Sequence, residues 1–259
     1  MLLALDVGNT EVTAGLFRGQ DLAARWRLTT HLDRTPDEWS MALEAFIVRS
    51  GHAAAEVTSA CIGSVVPSVT QRLVDAVRDG ITARVGLVEP NAALPLTLDV
   101  DEPLAVGADR IACVLGALAH FPGDSIVIGF GTATTFNCVT ADRRFVGGAI
   151  MPGLRTSAEQ LVQKAARLMA TDLRAPGRAI GRTTDDNIRS GVLLGAADAA
   201  DGMIRRIRAE WPGAGTPRVI ATGGLATLVA PLCSGIDTVD PELTLRGLRV
   251  AAAALDLPA

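Results

Sequence analysis

The feature that most constrains the fold is a strand–turn–strand pattern that occurs twice in the chain. Residues 2–17, LLALDVGNTEVTAGLF, and residues 125–140, SIVIGFGTATTFNCVT, both contain an apolar strand, a turn with Gly and Thr, and a returning strand. A third strand and several helices follow each copy. A repeat of a whole β-meander with helices predicts a duplicated α/β fold with a cleft between the two copies.

The remaining pattern along the chain agrees with this repeat. Alternating apolar residues, helix-start signals and Gly or Pro breaks define the segments. In the first half we predict strands at 2–7, 12–16, 22–28, 57–65 and 84–88, and helices at 35–51, from 67 and at 107–120. In the second half we predict strands at 125–130, 134–140, 145–151 and 218–222, and helices at 154–169, 184–211 and 243–255. The predicted domains are residues 1–117 and 118–259.

Composition excludes several classes of protein. A chain of 259 residues can bury a large core, and its formal charge of −4 argues against a nucleic-acid-binding surface. No apolar run reaches the ~18 residues of a membrane span, and the N-terminus lacks the basic region of a signal peptide. We therefore expect a cytoplasmic protein without a membrane or nucleic-acid partner. Its four cysteines are scattered singly, which predicts buried thiols rather than a zinc site.

Three glycine turns carry the chemistry that the sequence suggests. Gly allows backbone N–H groups to approach a phosphate closely, and Thr adds a hydroxyl donor. A single such turn is most often an ordinary hairpin, but three turns that each follow an apolar strand favour a nucleotide site. Asp6, at the end of the first strand, is placed to hold Mg²⁺ directly or through water. The candidate phosphate- or nucleotide-binding residues are Asp6, Gly8, Asn9, Thr10, Gly131, Thr132, Thr134, Gly223 and Gly224.

Six motifs in order resemble those of the type III pantothenate kinases, members of the actin/sugar-kinase/Hsp70-like superfamily. They are DVGNT at 6–10, GADR at 107–110, GTATT at 131–135, GGAIMPG at 147–153, IGRTTDDNIRSG at 180–191 and ATGG at 221–224. The resemblance implies two ribonuclease-H-like domains, a homodimer, and ATP and Mg²⁺ as cofactors. The implied reaction converts pantothenate to 4′-phosphopantothenate, the first step toward coenzyme A.

The resemblance also implies roles for residues on the acceptor side. It places Asp109 as the general base. The alternative interpretation is that Asp109 only stabilises the start of its helix through the helix dipole. We expect Arg110 to keep this carboxylate ionised. The resemblance assigns substrate binding to Gly107, Ala108, Val100, Arg110 and Thr184, the last of these across the dimer interface. For Thr184, capping of the following helix is the alternative.

The sequence departs from the family pattern at three positions. Gly129 and Asn137 stand where the family usually has Asp, and Val100 stands where it often has Tyr. The resemblance links the first of these acids to a monovalent cation, K⁺ or NH₄⁺, so Gly129 puts that dependence in question. Three hypotheses remain open: a pantothenate kinase, a kinase of the same fold acting on a nucleoside or sugar-like hydroxyl, and a non-catalytic nucleotide-binding regulatory relative.

Overall fold

The computed structural model describes residues 1–213 and 215–258. Its first nine strands and α-helices are β1 (Leu2–Val7), β2 (Glu11–Arg18), β3 (Asp21–Thr29), α1 (Pro36–Arg49), β4 (Ser59–Ser64), α2 (Pro67–Gly80), β5 (Val85–Val88), β6 (Thr97–Leu98) and α3 (Ala108–His120). The elements that follow are β7 (Ser125–Phe130), β8 (Ala133–Val139), β9 (Arg144–Pro152), α4 (Leu154–Lys164), α5 (Thr184–Arg189), α6 (Gly195–Ala209), β10 (Arg218–Thr222), α7 (Ala226–Val229), β11 (Thr238–Val239) and α8 (Leu243–Ala254).

The chain forms two compact units. The first unit contains Met1–His120 together with the chain from Leu243 onward, and the second contains Phe121–Glu242. This division differs from the predicted one, residues 1–117 and 118–259, mainly at the C-terminus, where α8 joins the first unit.

The first unit has a five-stranded sheet in the order β3-β2-β1-β4-β5. β1 pairs with β2 in antiparallel and with β4 in parallel fashion. Because side chains alternate along a strand, Leu3 and Leu5 face a core shared with Trp39 and Leu43 of α1. Asp6 lies on the opposite face of the same strand.

Helices α3 and α8 cross closely in the first unit because two glycines leave room for the backbone of the partner helix. An added Cβ at Gly247 of α8 would lie 1.7 Å from the carbonyl oxygen of Ala112, and one at Gly116 of α3 would lie 2.3 Å from that of Leu243. This tight contact explains why the last helix belongs to the first unit.

The second unit repeats the plan of the first. Its strands lie in the order β11-β10-β7-β8-β9, with β7, β8 and β9 antiparallel and β10 parallel to β7. Ile126, Ile128 and Phe130 of β7 face the core of this unit. In both units a parallel strand lies beside the first strand of a meander, which confirms the predicted duplicated α/β fold.

Several helices differ from the sequence prediction. Helix α4 ends at Lys164, short of residue 169, and the predicted helix 184–211 is interrupted by a π-helical segment, Ser190–Leu194. Helix α5 is capped by Thr183, whose Oγ1 accepts a 3.1 Å hydrogen bond from the N–H of Asp186. None of the helices within residues 1–213 and 215–258 has the length and apolar character needed to cross a bilayer.

Candidate active site

The candidate metal-binding carboxylate, Asp6, lies near the carboxyl end of β1. It pairs with Thr13 on β2 and with Gly63 on β4. Its side chain is half-buried, and this desolvation raises its pKa from 3.8 to about 7, with the negative charge of Asp109 as the smaller cause. Burial makes ionisation of the carboxyl unfavourable, and a positive charge bound beside Asp6 would stabilise the ionised form.

Asp109 lies in the first turn of α3, which packs close to the strand beside Asp6. An added Cβ at Gly63 would lie 3.7 Å from the Cβ of Ala108, the residue before Asp109. Oδ1 of Asp109 accepts a 2.8 Å hydrogen bond from the N–H of Arg110. The structure therefore brings the two predicted acids, Asp6 and Asp109, together in the first unit.

The pKa of Asp109 is raised, mainly by burial. The hydrogen bond from Arg110 and the arginine's positive charge oppose this rise but do not cancel it. Arg110 thus lowers the pKa of Asp109, as expected, but desolvation raises that pKa by more. A carboxylate with a raised pKa is a stronger proton acceptor, as a general base requires. Gly107 leaves space for this side chain, since an added Cβ there would lie 2.5 Å from Oδ1 of Asp109.

The first turn, residues 8–10, joins β1 to β2. The N–H of Gly8 donates a 3.0 Å hydrogen bond to the carbonyl of Glu11, and Asn9 and Thr10 are exposed at the tip. Thr30, directly after β3, contacts the turn twice. Its N–H donates to the carbonyl of Thr10 at 2.9 Å, and its Oγ1 donates to the carbonyl of Gly8 at 2.7 Å. The tip is therefore exposed while two of its carbonyl groups are held by one residue.

The second turn, residues 131–132, joins β7 to β8 and is also exposed. The carbonyl of Thr132 accepts hydrogen bonds from the N–H of Gly153, at 3.1 Å, and from Oγ1 of Thr156, at 2.7 Å. Thr134, another predicted phosphate ligand, is 5% exposed and pairs with Phe130 within the sheet. Its role in phosphate binding stays a prediction.

The third turn, residues 223–224, follows β10 and lies against the end of β7. Gly223 has a φ of 92°, and an added Cβ there would lie 2.7 Å from the carbonyl oxygen of Phe130. Only glycine satisfies both the left-handed backbone and this close approach. Since Phe130 directly precedes Gly131, the structure brings the second and third turns together within the second unit.

Neutral side chains surround Gly129, where the family pattern has an acid. Gly129 pairs with Thr135 on β8 and with Thr222 on β10. Asn137 is fully buried, and its Nδ2 donates a 3.4 Å hydrogen bond to Oγ1 of Thr135. Thr222 is 1% exposed, and its Oγ1 has no hydrogen-bond partner among the described residues. Two of the three departures from the family pattern, Gly129 and Asn137, thus lie on the same sheet face beside Thr135.

The other predicted acceptor-side residues lie in different units. Val100 is half-buried ahead of α3 in the first unit, and Ala108 is buried in α3. Thr184 is exposed at the start of α5 in the second unit. Because Thr183 is the N-cap of α5, capping does not explain Thr184. The substrate roles of these residues stay predictions.

Sequence reasoning missed Thr30, Gly153 and Thr156 as supports of the turns. Thr30 is 22 residues from its acceptor Gly8, and Thr156 is 24 residues from Thr132. No periodicity or motif marks contacts over such separations, although Gly153 belongs to the quoted motif GGAIMPG.

Comparison with solved structures shows the fold. A putative Baf family transcriptional activator from Campylobacter jejuni aligns with a TM-score of 0.62 at 17% identity, covering 98% of this chain and 100% of that one. A putative 2-dehydro-3-deoxygalactonokinase from Sinorhizobium meliloti aligns with a TM-score of 0.58 at 16% identity, covering 100% and 98%. The fold is that of the actin-like ATPases and sugar kinases, as predicted.

Sequence comparison then identifies the family. A family model described as type III pantothenate kinase matches residues 2–206. A type III pantothenate kinase of Thermomicrobium roseum is 46% identical over 256 residues, which cover 97% of this chain and 96% of that protein. The chain therefore belongs to the type III pantothenate kinase family, and its predicted class, a small-molecule kinase, is confirmed.

Proposed function

We propose that this protein transfers a phosphoryl group from ATP to pantothenate and forms 4′-phosphopantothenate. The observation that carries this proposal is the pair of carboxylates in the first unit, Asp6 beside a phosphate-type turn and Asp109 at the start of α3. Phosphoryl transfer requires an oriented hydroxyl, an acceptor for its proton, and positive charge around the phosphates. Family membership supports pantothenate as the source of the hydroxyl.

Asp109 acts as the general base in this proposal. Its carboxylate accepts the proton of the attacking hydroxyl as the hydroxyl oxygen bonds to the γ-phosphorus of ATP and the bond to the β,γ-bridging oxygen breaks, which releases ADP. Two features support the assignment: burial raises the pKa of Asp109, and the N–H of Arg110 fixes Oδ1 by a 2.8 Å hydrogen bond. One carboxylate oxygen is thus anchored, and the other, Oδ2, is the proton acceptor that we assign.

Asp6 fits a magnesium ion. The group offers the oxygen donors that Mg²⁺ prefers, and its pKa of about 7 reflects a negative charge that burial leaves poorly compensated. Within residues 1–213 and 215–258 no set of three or more Asp, Glu, His or Cys residues is grouped as a complete metal site. Mg²⁺ at Asp6 would therefore take its other ligands from water and phosphate oxygens, and would neutralise phosphate charge. Gly129 offers no carboxylate, so we propose that K⁺ or NH₄⁺ is not required.

The acceptor is held, in this proposal, by Gly107, Ala108, Val100 and Arg110. A guanidinium such as that of Arg110 suits the carboxylate of pantothenate. Thr184, exposed at the start of α5, contributes from the partner subunit of a homodimer. We propose that the enzyme works in the cytoplasm.

The experiment is to follow ADP release by purified protein with Mg-ATP and a panel of hydroxyl acceptors: pantothenate, nucleosides and simple sugars. Mass spectrometry of the product establishes which acceptor gains a phosphoryl group. We expect turnover with pantothenate and formation of 4′-phosphopantothenate, with the same rate in Na⁺ and K⁺ buffers.

Two outcomes would contradict the proposal. Turnover with a nucleoside or sugar, and not with pantothenate, would indicate a kinase for another hydroxyl. Tight binding of Mg-ATP without turnover of any acceptor would indicate a regulatory relative. That hypothesis arises from Gly129 and Asn137, which replace acids of the family pattern.

A further inference from the structure

Each candidate phosphate turn is held by a threonine that lies outside the turn. In the first unit, Oγ1 of Thr30 donates a 2.7 Å hydrogen bond to the carbonyl of Gly8. In the second unit, Oγ1 of Thr156 donates a 2.7 Å hydrogen bond to the carbonyl of Thr132. The two threonines come from unrelated elements, the end of β3 and the first helical turn of α4.

These contacts fix the direction of specific N–H groups. In a trans peptide the C=O and the N–H of the same unit point in opposite directions. The peptide bonds of the described part of the chain are trans. When Thr30 draws the Gly8 carbonyl toward itself, the N–H of Asn9 points away from Thr30. By the same geometry, Thr156 turns the N–H of Ala133 away from α4.

Orientation of N–H groups is what a phosphate-binding turn requires. Such a turn binds an anion through backbone N–H groups that are already aligned before the ligand arrives. A turn whose peptide units can rotate must lose that freedom on binding, which weakens affinity. The hydroxyl groups of Thr30 and Thr156 remove the freedom in advance.

We propose that Thr30 and Thr156 are positioning residues that set the two phosphate turns for binding of ATP. This inference rests on the proposed function in one respect, that the turns bind the phosphates of ATP. Neither threonine contacts the nucleotide in this proposal; each acts through one turn carbonyl.

The two turn carbonyls differ in the number of hydrogen bonds that hold them, so we expect loss of the two threonine hydroxyls to weaken ATP binding by different amounts. The carbonyl of Thr132 also accepts a 3.1 Å hydrogen bond from the N–H of Gly153, which persists when the Thr156 hydroxyl is removed. The backbone N–H of Thr30 donates to a different carbonyl, that of Thr10, so the hydroxyl is the group of Thr30 that holds the Gly8 carbonyl. Loss of the Thr30 hydroxyl should therefore weaken ATP binding more than loss of the Thr156 hydroxyl.

The test compares Thr30→Val and Thr156→Val with Thr30→Ser and Thr156→Ser. Valine keeps the shape of the side chain without its hydroxyl, and serine keeps the hydroxyl. Calorimetric titration with Mg-ATP measures affinity without an acceptor, so the readout does not depend on turnover. We expect Kd for Mg-ATP to rise about 5- to 10-fold in Thr30→Val, about 2- to 4-fold in Thr156→Val, and less than 2-fold in the serine variants.

The controls are Thr29→Val and Ser157→Val, exposed neighbours of the two positions, which should bind Mg-ATP like the wild type. Melting temperatures of all variants, measured without nucleotide, separate positioning from folding. KM for the acceptor should be unchanged in the valine variants.

The outcomes separate this inference from the proposed function. If the wild type binds Mg-ATP and the valine variants bind it equally well, the positioning role is wrong and the kinase proposal stands. If serine fails to restore affinity, the threonines act through packing, and the positioning role is again wrong. If the wild type binds no Mg-ATP, both proposals are overturned.

Discussion

Substitution of Asp6 by Asn should stabilise the protein without ligands and abolish the proposed Mg²⁺ site. Asn has nearly the same shape as Asp and cannot ionise. Burial raises the pKa of Asp6 from 3.8 to about 7, so the folded state holds a proton that the unfolded chain releases between these pH values. The stability of the wild type therefore falls as pH rises from about 4 to about 7, and it levels off above that range.

The size of this effect follows from the pKa difference. A pKa change from 3.8 to about 7 corresponds to about 4 kcal/mol, an upper value because side chains relax and water enters. We expect Asp6→Asn to gain about 2–4 kcal/mol over the wild type at pH 8 and nothing from this cause at pH 4. For a chain of this length the gain at pH 8 is a rise in melting temperature on the order of 5–10 °C.

The assay is calorimetry of both proteins at pH 5, 6, 7 and 8, without Mg²⁺ or nucleotide. The exposed Asp79→Asn, on α2, is the matched control and should follow the wild type at every pH. At pH 8 the wild type should gain affinity for ATP on addition of Mg²⁺, and Asp6→Asn should not. If the melting temperature of Asp6→Asn depended on pH as steeply as that of the wild type, the assignment of the raised pKa to Asp6 would be refuted.

Three further substitutions test other parts of the site. Asp109→Asn should lower kcat by ~10²–10⁴ while Kd for Mg-ATP from calorimetry stays within about twofold; an equal loss of ATP binding would reassign Asp109 to metal binding or folding. Gly129→Asp should tighten Mg-ATP binding about tenfold, since φ at 129 lies outside the left-handed region and the added Cβ, 2.8 Å from Oγ1 of Thr135, requires only that side chain to shift. An unchanged Kd in the folded variant would show that a carboxylate at residue 129 does not contribute to nucleotide binding. Gly153→Ala should lower the melting temperature by several degrees and weaken ATP binding, because its Cβ would lie 2.3 Å from a carbonyl oxygen of the second turn. Gly177→Ala, with no atom within 4 Å of the added Cβ, is its control, and equal melting temperatures for the two would contradict the packing argument.

The strands and turns of this fold could be predicted because their signals are local. β1 and β7 are short apolar runs that end in Gly-containing turns, and the duplication repeats that signal 123 residues later. The candidate site residues in those turns could be named for the same reason. Their approach to one another within each unit, such as Asp6 to Asp109, depends on how strands and helices pack, which the spacing of residues in the sequence does not encode.

Features that depend on contacts distant in sequence could not be predicted. Membership of α8 in the first unit depends on Gly247 meeting the carbonyl of Ala112, 135 residues earlier in the chain. The π-helical segment and the end of α4 depend likewise on packing that no periodicity encodes. The choice between Thr183 and Thr184 as the cap of α5 is a matter of one residue, which sequence signals do not resolve.

The two units carry charge unequally at positions that the duplication makes equivalent. Asp6 is the second-last residue of β1 and has a second carboxylate, Asp109, nearby, whereas Gly129 is the second-last residue of β7 and lies between Thr135 and Thr222. A carboxylate beside a phosphate turn binds a cation but also repels the polyphosphate when the cation is absent. That repulsion is smaller below pH 7, where Asp6 gains its proton. ATP without Mg²⁺ should therefore bind better at pH 6 than at pH 8, and Mg²⁺ should improve binding mainly at the higher pH. Because Gly129 has no carboxylate, the proposed magnesium dependence rests on the carboxylate of Asp6.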